Sequence, residues 1–212
     1  MLEEPDLVRK AHVDFIEAGA SVITLNTYST TPERLEANDL LAKFSFFQKK
    51  AIDLAREAID HTQKNVLIAG CLPPLVASYR PDKAPDYDRC VDLYIQIVQE
   101  QESFVDLFIC ETMASIKEAK AAVAAAKTSG KSVWCGLTLE DNEKCELRSG
   151  EKLIDSVNEL QSLGQEEFLL NCSFPEVIDK GMKILSQNAK FFGGYGNGCL
   201  LYTSDAADET CR

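Results

Sequence analysis

The stretch VDLFICETMASIKEAKAAVAAAKTSGKSVWCGLT, residues 105–138, decides the fold. It opens on the apolar run VDLFIC (105–110), breaks at Glu111, and passes into SIKEAKAAVAAAK. Alanine, lysine and glutamate in that proportion favour helix. Ser115 stands at the N-cap position, and Glu118 three residues on is placed to complete a capping box. The chain then returns as a second apolar run, SVWCGLT (132–138). Neither run alternates polar with apolar, which is the pattern of strands buried on both faces. The stretch therefore reads as one β–α–β unit with parallel strands.

The unit repeats in both directions. SVITLN (21–26), NVLIAG (65–70), EEFLLNC (166–172) and AKFFGGY (189–195) read as further strands. Helical periodicity occupies 5–18, 43–61, 88–103, 115–128, 151–163 and 175–187. A helix leads, five βα repeats follow, and a strand closes the series. Such alternation means an α/β fold with right-handed crossovers. A doubly wound sheet carries a glycine-rich phosphate loop after an early strand, but here GCLPPL follows the second strand. Polar or reactive residues instead follow almost every strand: Asn26, Cys71, Glu111, Thr138, Cys172 and Asn197. A site spread over many strand ends is the habit of a (β/α)8 barrel. With six strands counted, the expected architecture is a partial TIM barrel, roughly strands 2 to 7, over residues 1–198.

The 212 residues, 45% hydrophobic and 26% charged, suffice for one domain with a sizeable core. No apolar run approaches a membrane span, and MLEEPDLVRKAHVDF lacks the regions of a signal peptide. The expectation is a cytoplasmic protein without a membrane partner. A net charge of −12 with no basic stripe speaks against nucleic acid. Eight cysteines form no CxxC pair, and most lie in strand-like runs. Reduced thiols packed as small hydrophobes follow from that.

Two of the strand-end residues carry distinctive chemistry. Glu111 follows the four apolar residues LFIC (107–110), and a carboxylate cannot be buried there without a partner. At a barrel mouth it binds an amino group, holds a metal or acts as a base. Cys172, in LLNCSFPEV, precedes a helix start, where a thiolate serves as nucleophile or metal ligand; a buried structural cysteine is the alternative. Asn26, Thr27 and Tyr28 are placed to hydrogen-bond a polar ligand or to cap the next helix. Ser78, Tyr79 and Arg80 lie on the long connection 71–89, where Arg80 reads as a solvated charge. His12 and His61 fall on helices away from strand ends, so both read as surface or satisfied residues.

Taken together, EEPDLVRKAHVDFIEAGASVITLNTYSTTPERL, AGCLPPLVASYRPD, VDLFICETMASIKEAKAA and LLNCSFPE resemble the homocysteine S-methyltransferase family, in order, from about residue 4 to about 197. The resemblance implies a (β/α)8 barrel and a zinc ion held by three thiolates, one of which matches Cys172 in the Asn171-Cys172 pair. It implies that zinc holds homocysteine as its thiolate, which attacks an activated methyl group. The resemblance also implies that the carboxylate matching Glu111 helps bind homocysteine through its amino group. The expected substrate contacts are Glu111, Asn26, Thr27, Asn171 and Asn197, and the expected metal position is Cys172. Thr112 stands where betaine-dependent members carry an aromatic residue. S-methylmethionine or S-adenosylmethionine is therefore the expected donor and methionine the product.

The chain departs from that pattern in lacking the family's first strand and its GGCC zinc motif. GGYGNG (193–198) matches the seventh-strand region, and beyond Asn197 the likeness stops. The run CLLYTSDAADE (199–209) resembles the translation of a transposase sequencing adapter. The expectation is a fragment clipped at both ends and inactive by itself, with residues 199–212 a non-native tail. Two other readings remain open: a metal-free barrel lyase using Glu111 as base, and a non-catalytic barrel that serves as a binding module.

Overall fold

The computed structural model describes residues 3–197; the tail 199–212, with Cys199 and Cys211, lies outside them. Six strands form one parallel sheet: β1 (Val22–Thr24), β2 (Leu67–Leu72), β3 (Leu107–Met113), β4 (Ser132–Leu137), β5 (Glu167–Asn171) and β6 (Phe191–Tyr195). Their spatial order is β1-β2-β3-β4-β5-β6, the order of the chain. A doubly wound sheet must reverse its strand order at a switch point; this one never does. The sheet curls as a partial (β/α)8 barrel, as the strand-end residues suggested.

Among the described residues seven α-helices accompany the strands: α1 (Pro5–Glu17) leads into β1, and α2 (Pro32–Glu36), α3 (Phe44–Thr62), α4 (Tyr87–Gln101), α5 (Ile116–Lys127), α6 (Leu153–Ser162) and α7 (Pro175–Asn188) lie between strands. From α3 onward each packs on the next, so the helices form one continuous layer. Only the one-turn α2 has no counterpart in the sequence periodicity. Thr31 caps it, and the Thr31 hydroxyl also donates to the Leu75 carbonyl at 2.6 Å.

The core fills the space between sheet and helices. Phe108, Cys110, Cys135, Phe168 and Leu170 are fully buried from the sheet side. Helix α5 packs on β3 and β4, with its alanines buried against them, and α7 packs on β5. Each large apolar side chain so buried contributes about 1.5–3 kcal/mol. The opposite, concave face is more open: Ile109, Trp134 and Leu169 are half-buried. The six described cysteines are all free.

Two expectations need correction. β2 and β3 run two and three residues beyond their expected ends, so Cys71 and Glu111 lie within strands rather than after them. The capping box is half formed. Ser115 accepts from the Glu118 amide at 3.3 Å, but the Glu118 carboxylate turns away. It accepts instead from the Leu75 amide at 2.9 Å and the Tyr94 hydroxyl at 3.2 Å. The buried carboxylate is thereby partnered and ties the long 71–89 connection to α5.

Candidate functional site

Glu111 owes its position to an irregularity. Cys110 pairs with Cys135 and Met113 with Leu137, so β3 spends one residue more than β4. The bulge falls at Glu111–Thr112, where Thr112 takes a left-handed φ of 57°. Bulges re-aim side chains beside functional sites. Here Glu111 lines a cavity of about 840 Å³, together with Asn26, Tyr28, Cys71 and Tyr195. Burial pushes its carboxyl up to about 6, opposed by a hydrogen bond with Cys71. The Cys71 thiol is pushed well above the ordinary range, first by burial and then by the Glu111 charge.

Cys172 follows the end of β5, also left-handed at φ 56° and half-buried. A chain of hydrogen bonds aims at its sulfur. Asn171 Nδ2 donates to Thr112 Oγ1 at 3.1 Å, and that hydroxyl donates to Cys172 Sγ at 3.4 Å. The same amide donates to the Tyr195 hydroxyl at 3.2 Å, and Asn171 Oδ1 accepts from the Thr112 amide at 3.3 Å. Gly136 makes room for this amide. A Cβ there would stand 2.9 Å from the Cys110 carbonyl and 3.3 Å from Asn171 Oδ1.

The Tyr79 and Tyr195 phenols also neighbour the Cys172 side chain, whose charge would push both upward. Burial raises both phenols, Tyr195 to about 12, so both stay protonated donors at neutral pH. Tyr28 completes the rim, its hydroxyl 2.8 Å from Ser78 Oγ.

The remaining sequence candidates separate. Asn26 is exposed on the cavity wall. Thr27 is buried, and its hydroxyl accepts from Gln101 of α4 at 3.3 Å. Asn197 donates its backbone amide to the Ser173 carbonyl at 2.8 Å, closing the β6 end onto the Cys172 turn. Thr138 donates to the Cys172 carbonyl at 3.2 Å. Arg80 pairs with Asp82 through two contacts of 2.8 and 2.7 Å at the surface. His12 differs from its reading. It is buried against the cavity, and its Nε2 has no partner among the described residues.

Sequence reasoning read Thr112 only as a donor-selecting position and passed over Tyr195, Asp141 and Arg148. A usable signal existed for the last two: opposite charges seven residues apart in one connection after a strand.

Among the described residues, no three His, Cys, Asp or Glu side chains gather where they could hold a metal ion. A catalytic zinc takes three protein ligands, so the described residues do not by themselves make up such a site.

The profile of the Homocysteine S-methyltransferase family matches residues 1–210. The homocysteine S-methyltransferase of Escherichia coli (strain K12) is 28% identical over 202 residues, covering 88% of this chain and 61% of that protein. The S-methylmethionine–homocysteine S-methyltransferase BHMT2 of Pongo abelii is 26% identical, covering 91% of this chain and 50% of that one. The chain thus spans between half and about three-fifths of these relatives. In three dimensions it superposes on the oxidised form of the E. coli homocysteine methyltransferase MmuM with a TM-score of 0.76. That match has 22% identity and covers 96% of this chain and 82% of that one. The metallated form of MmuM gives 0.73 at 21% identity. These likenesses confirm the barrel, and with the profile spanning nearly the whole sequence, the chain belongs to the homocysteine S-methyltransferase family.

Proposed function

We propose that this chain forms the homocysteine-binding part of an enzyme that methylates homocysteine to methionine, with a sulfonium compound as donor. The observation that carries the reading is Glu111, half-buried on an open cavity with its carboxyl raised to about 6. At neutral pH most of that carboxylate is ionised, and burial strengthens its attraction for an incoming ammonium group. In this reading an amino acid bound there by its amino group extends its side chain toward the Cys172 turn, supported by Tyr195, which lines the cavity and accepts from Asn171 beside Cys172.

In the reaction, the acceptor sulfur forms a bond to the donor methyl carbon. The carbon–sulfur bond of the sulfonium breaks, and its electron pair leaves with the neutral thioether. The acceptor must first lose its proton. A relative with a metallated form, MmuM, suggests a metal for that proton loss, with Cys172 as one ligand. The described residues alone do not complete a metal site, so the remaining ligands would have to come from outside them. The Tyr28, Tyr79 and Tyr195 rings suit a cationic donor, because ring faces attract cations. Threonine rather than an aromatic residue at position 112 supports S-methylmethionine or S-adenosylmethionine over betaine.

A carboxyl near pH 6 is also poised as a general base, the role it would have in a metal-free lyase. Family membership favours methyl transfer. The test is calorimetric titration of L-homocysteine into the chain and its E111Q variant at pH 7.5. We expect affinity to fall at least about tenfold in E111Q, as for loss of one charge-assisted contact. Undetectable binding, or equal binding by both proteins, overturns the reading.

A further inference from the structure

The connection from β4 to α6 contains a buried ion pair that the chemistry so far does not use. Arg148 and Asp141 meet at 3.0 Å, with side chains only 7% and 16% exposed. Burying two charges gains little stability unless their remaining hydrogen bonds are satisfied. Here they are satisfied on one target, the backbone around Cys172. Arg148 Nη2 donates to the Cys172 carbonyl at 3.2 Å, and Nε donates to Thr138 Oγ1 at 3.3 Å. Thr138 in turn donates to that same carbonyl. On the far side of the turn, Asp141 Oδ1 accepts from the Phe174 amide at 2.8 Å. The guanidinium also stacks 4.6 Å over the ring of Tyr79, a neighbour of the Cys172 side chain.

One pair therefore grips the turn at the carbonyl of its left-handed residue and at the amide two residues on, and seats an aromatic from another loop above it. A non-glycine residue keeps a left-handed φ only where its surroundings over-determine it. The planar fork of arginine can serve three acceptors at once, and a lysine ammonium cannot reproduce that geometry. We propose that Arg148, braced by Asp141, is a positioning residue that fixes where the Cys172 sulfur stands at the barrel mouth. Its functional weight rests on the reading of Cys172 as a site residue, but its test does not depend on substrate or metal.

The folded chain is treated with iodoacetamide, and alkylation is followed by mass spectrometry at each cysteine. Alkylation of a held thiol tracks the population of its opened state. The fully buried Cys110 and Cys135 report global opening in the same spectra. In R148Q, R148K and D141N we expect Cys172 to react about tenfold faster, the factor for one lost charge-assisted hydrogen bond. Cys110 and Cys135 should stay slow. D141N leaves the arginine in place should an Arg148 variant fold poorly. An unchanged Cys172 rate, full protection in R148K, or a parallel rise at Cys110 and Cys135 would each overturn the proposal. If homocysteine binding fails while the alkylation pattern holds, the brace stands and the substrate reading falls.

Discussion

Glu111 holds its proton up to about pH 6 because burial penalises the charged form more than the Cys71 hydrogen bond favours it. An ordinary glutamate releases its proton near 4.5. The folded state thus binds the proton more tightly than the unfolded chain does. This contribution to stability is fully present below about 4.5 and is lost as pH rises through about 6. Above pH 7 the ionised carboxylate costs on the order of 2 kcal/mol, since each pH unit separating the two values is worth about 1.36 kcal/mol. Urea denaturation should therefore find E111Q more stable than the parent at pH 8, with the gap closing by pH 4. A pH-independent difference would show that desolvation is not the cause. Homocysteine affinity should follow the opposite trend and rise between pH 5 and 7 as Glu111 ionises. A substitution that stabilises the fold while abolishing binding is the mark of a residue kept for function.

At the scale of elements, the site depends on the ends of β3, β4 and β5 rather than on any one loop. The β3 bulge aims Glu111, and the Asn171 amide bridges Thr112 to Tyr195 across the neighbouring strands. Gly136 lies between them. Gly136→Ala should destabilise the protein by about 1–3 kcal/mol, since the added methyl meets backbone on one side and Asn171 on the other. Denaturant midpoints measure that cost. The same variant should speed Cys172 alkylation if Asn171 aims the Thr112 hydroxyl as observed. Asn171→Ala should cost about 1–3 kcal/mol, because it leaves buried partners unpaired.

Across the whole molecule, the sheet has two edges among the described residues, β1 and β6. Phe191, Phe192 and Tyr195 of β6 are all exposed. An unpaired, flat, apolar edge invites pairing with another chain. Light scattering should show concentration-dependent association, and Phe191→Lys should reduce it. A scattering profile that this charge leaves unaltered would mean that association, if any, does not use the β6 edge.

The sequence by itself determined the class of fold. Continuous apolar runs separated by helical periods admit parallel strands and little else, and all six strands and six longer helices formed in the expected order, with β2 and β3 ending two and three residues later than the periodicity placed them. It also singled out Glu111 and Cys172, because a carboxylate and a thiol at strand ends break an apolar pattern visibly. Only the tertiary structure decided the bulge that aims Glu111, the left-handed turn at Cys172, and the Arg148–Asp141 brace beneath it. The physical reason is range. Periodicity records which face of an element is buried, a local property. Register between strands, and hydrogen bonds between residues some 60 apart such as Thr112 and Cys172, exist only after the chain has brought those elements side by side.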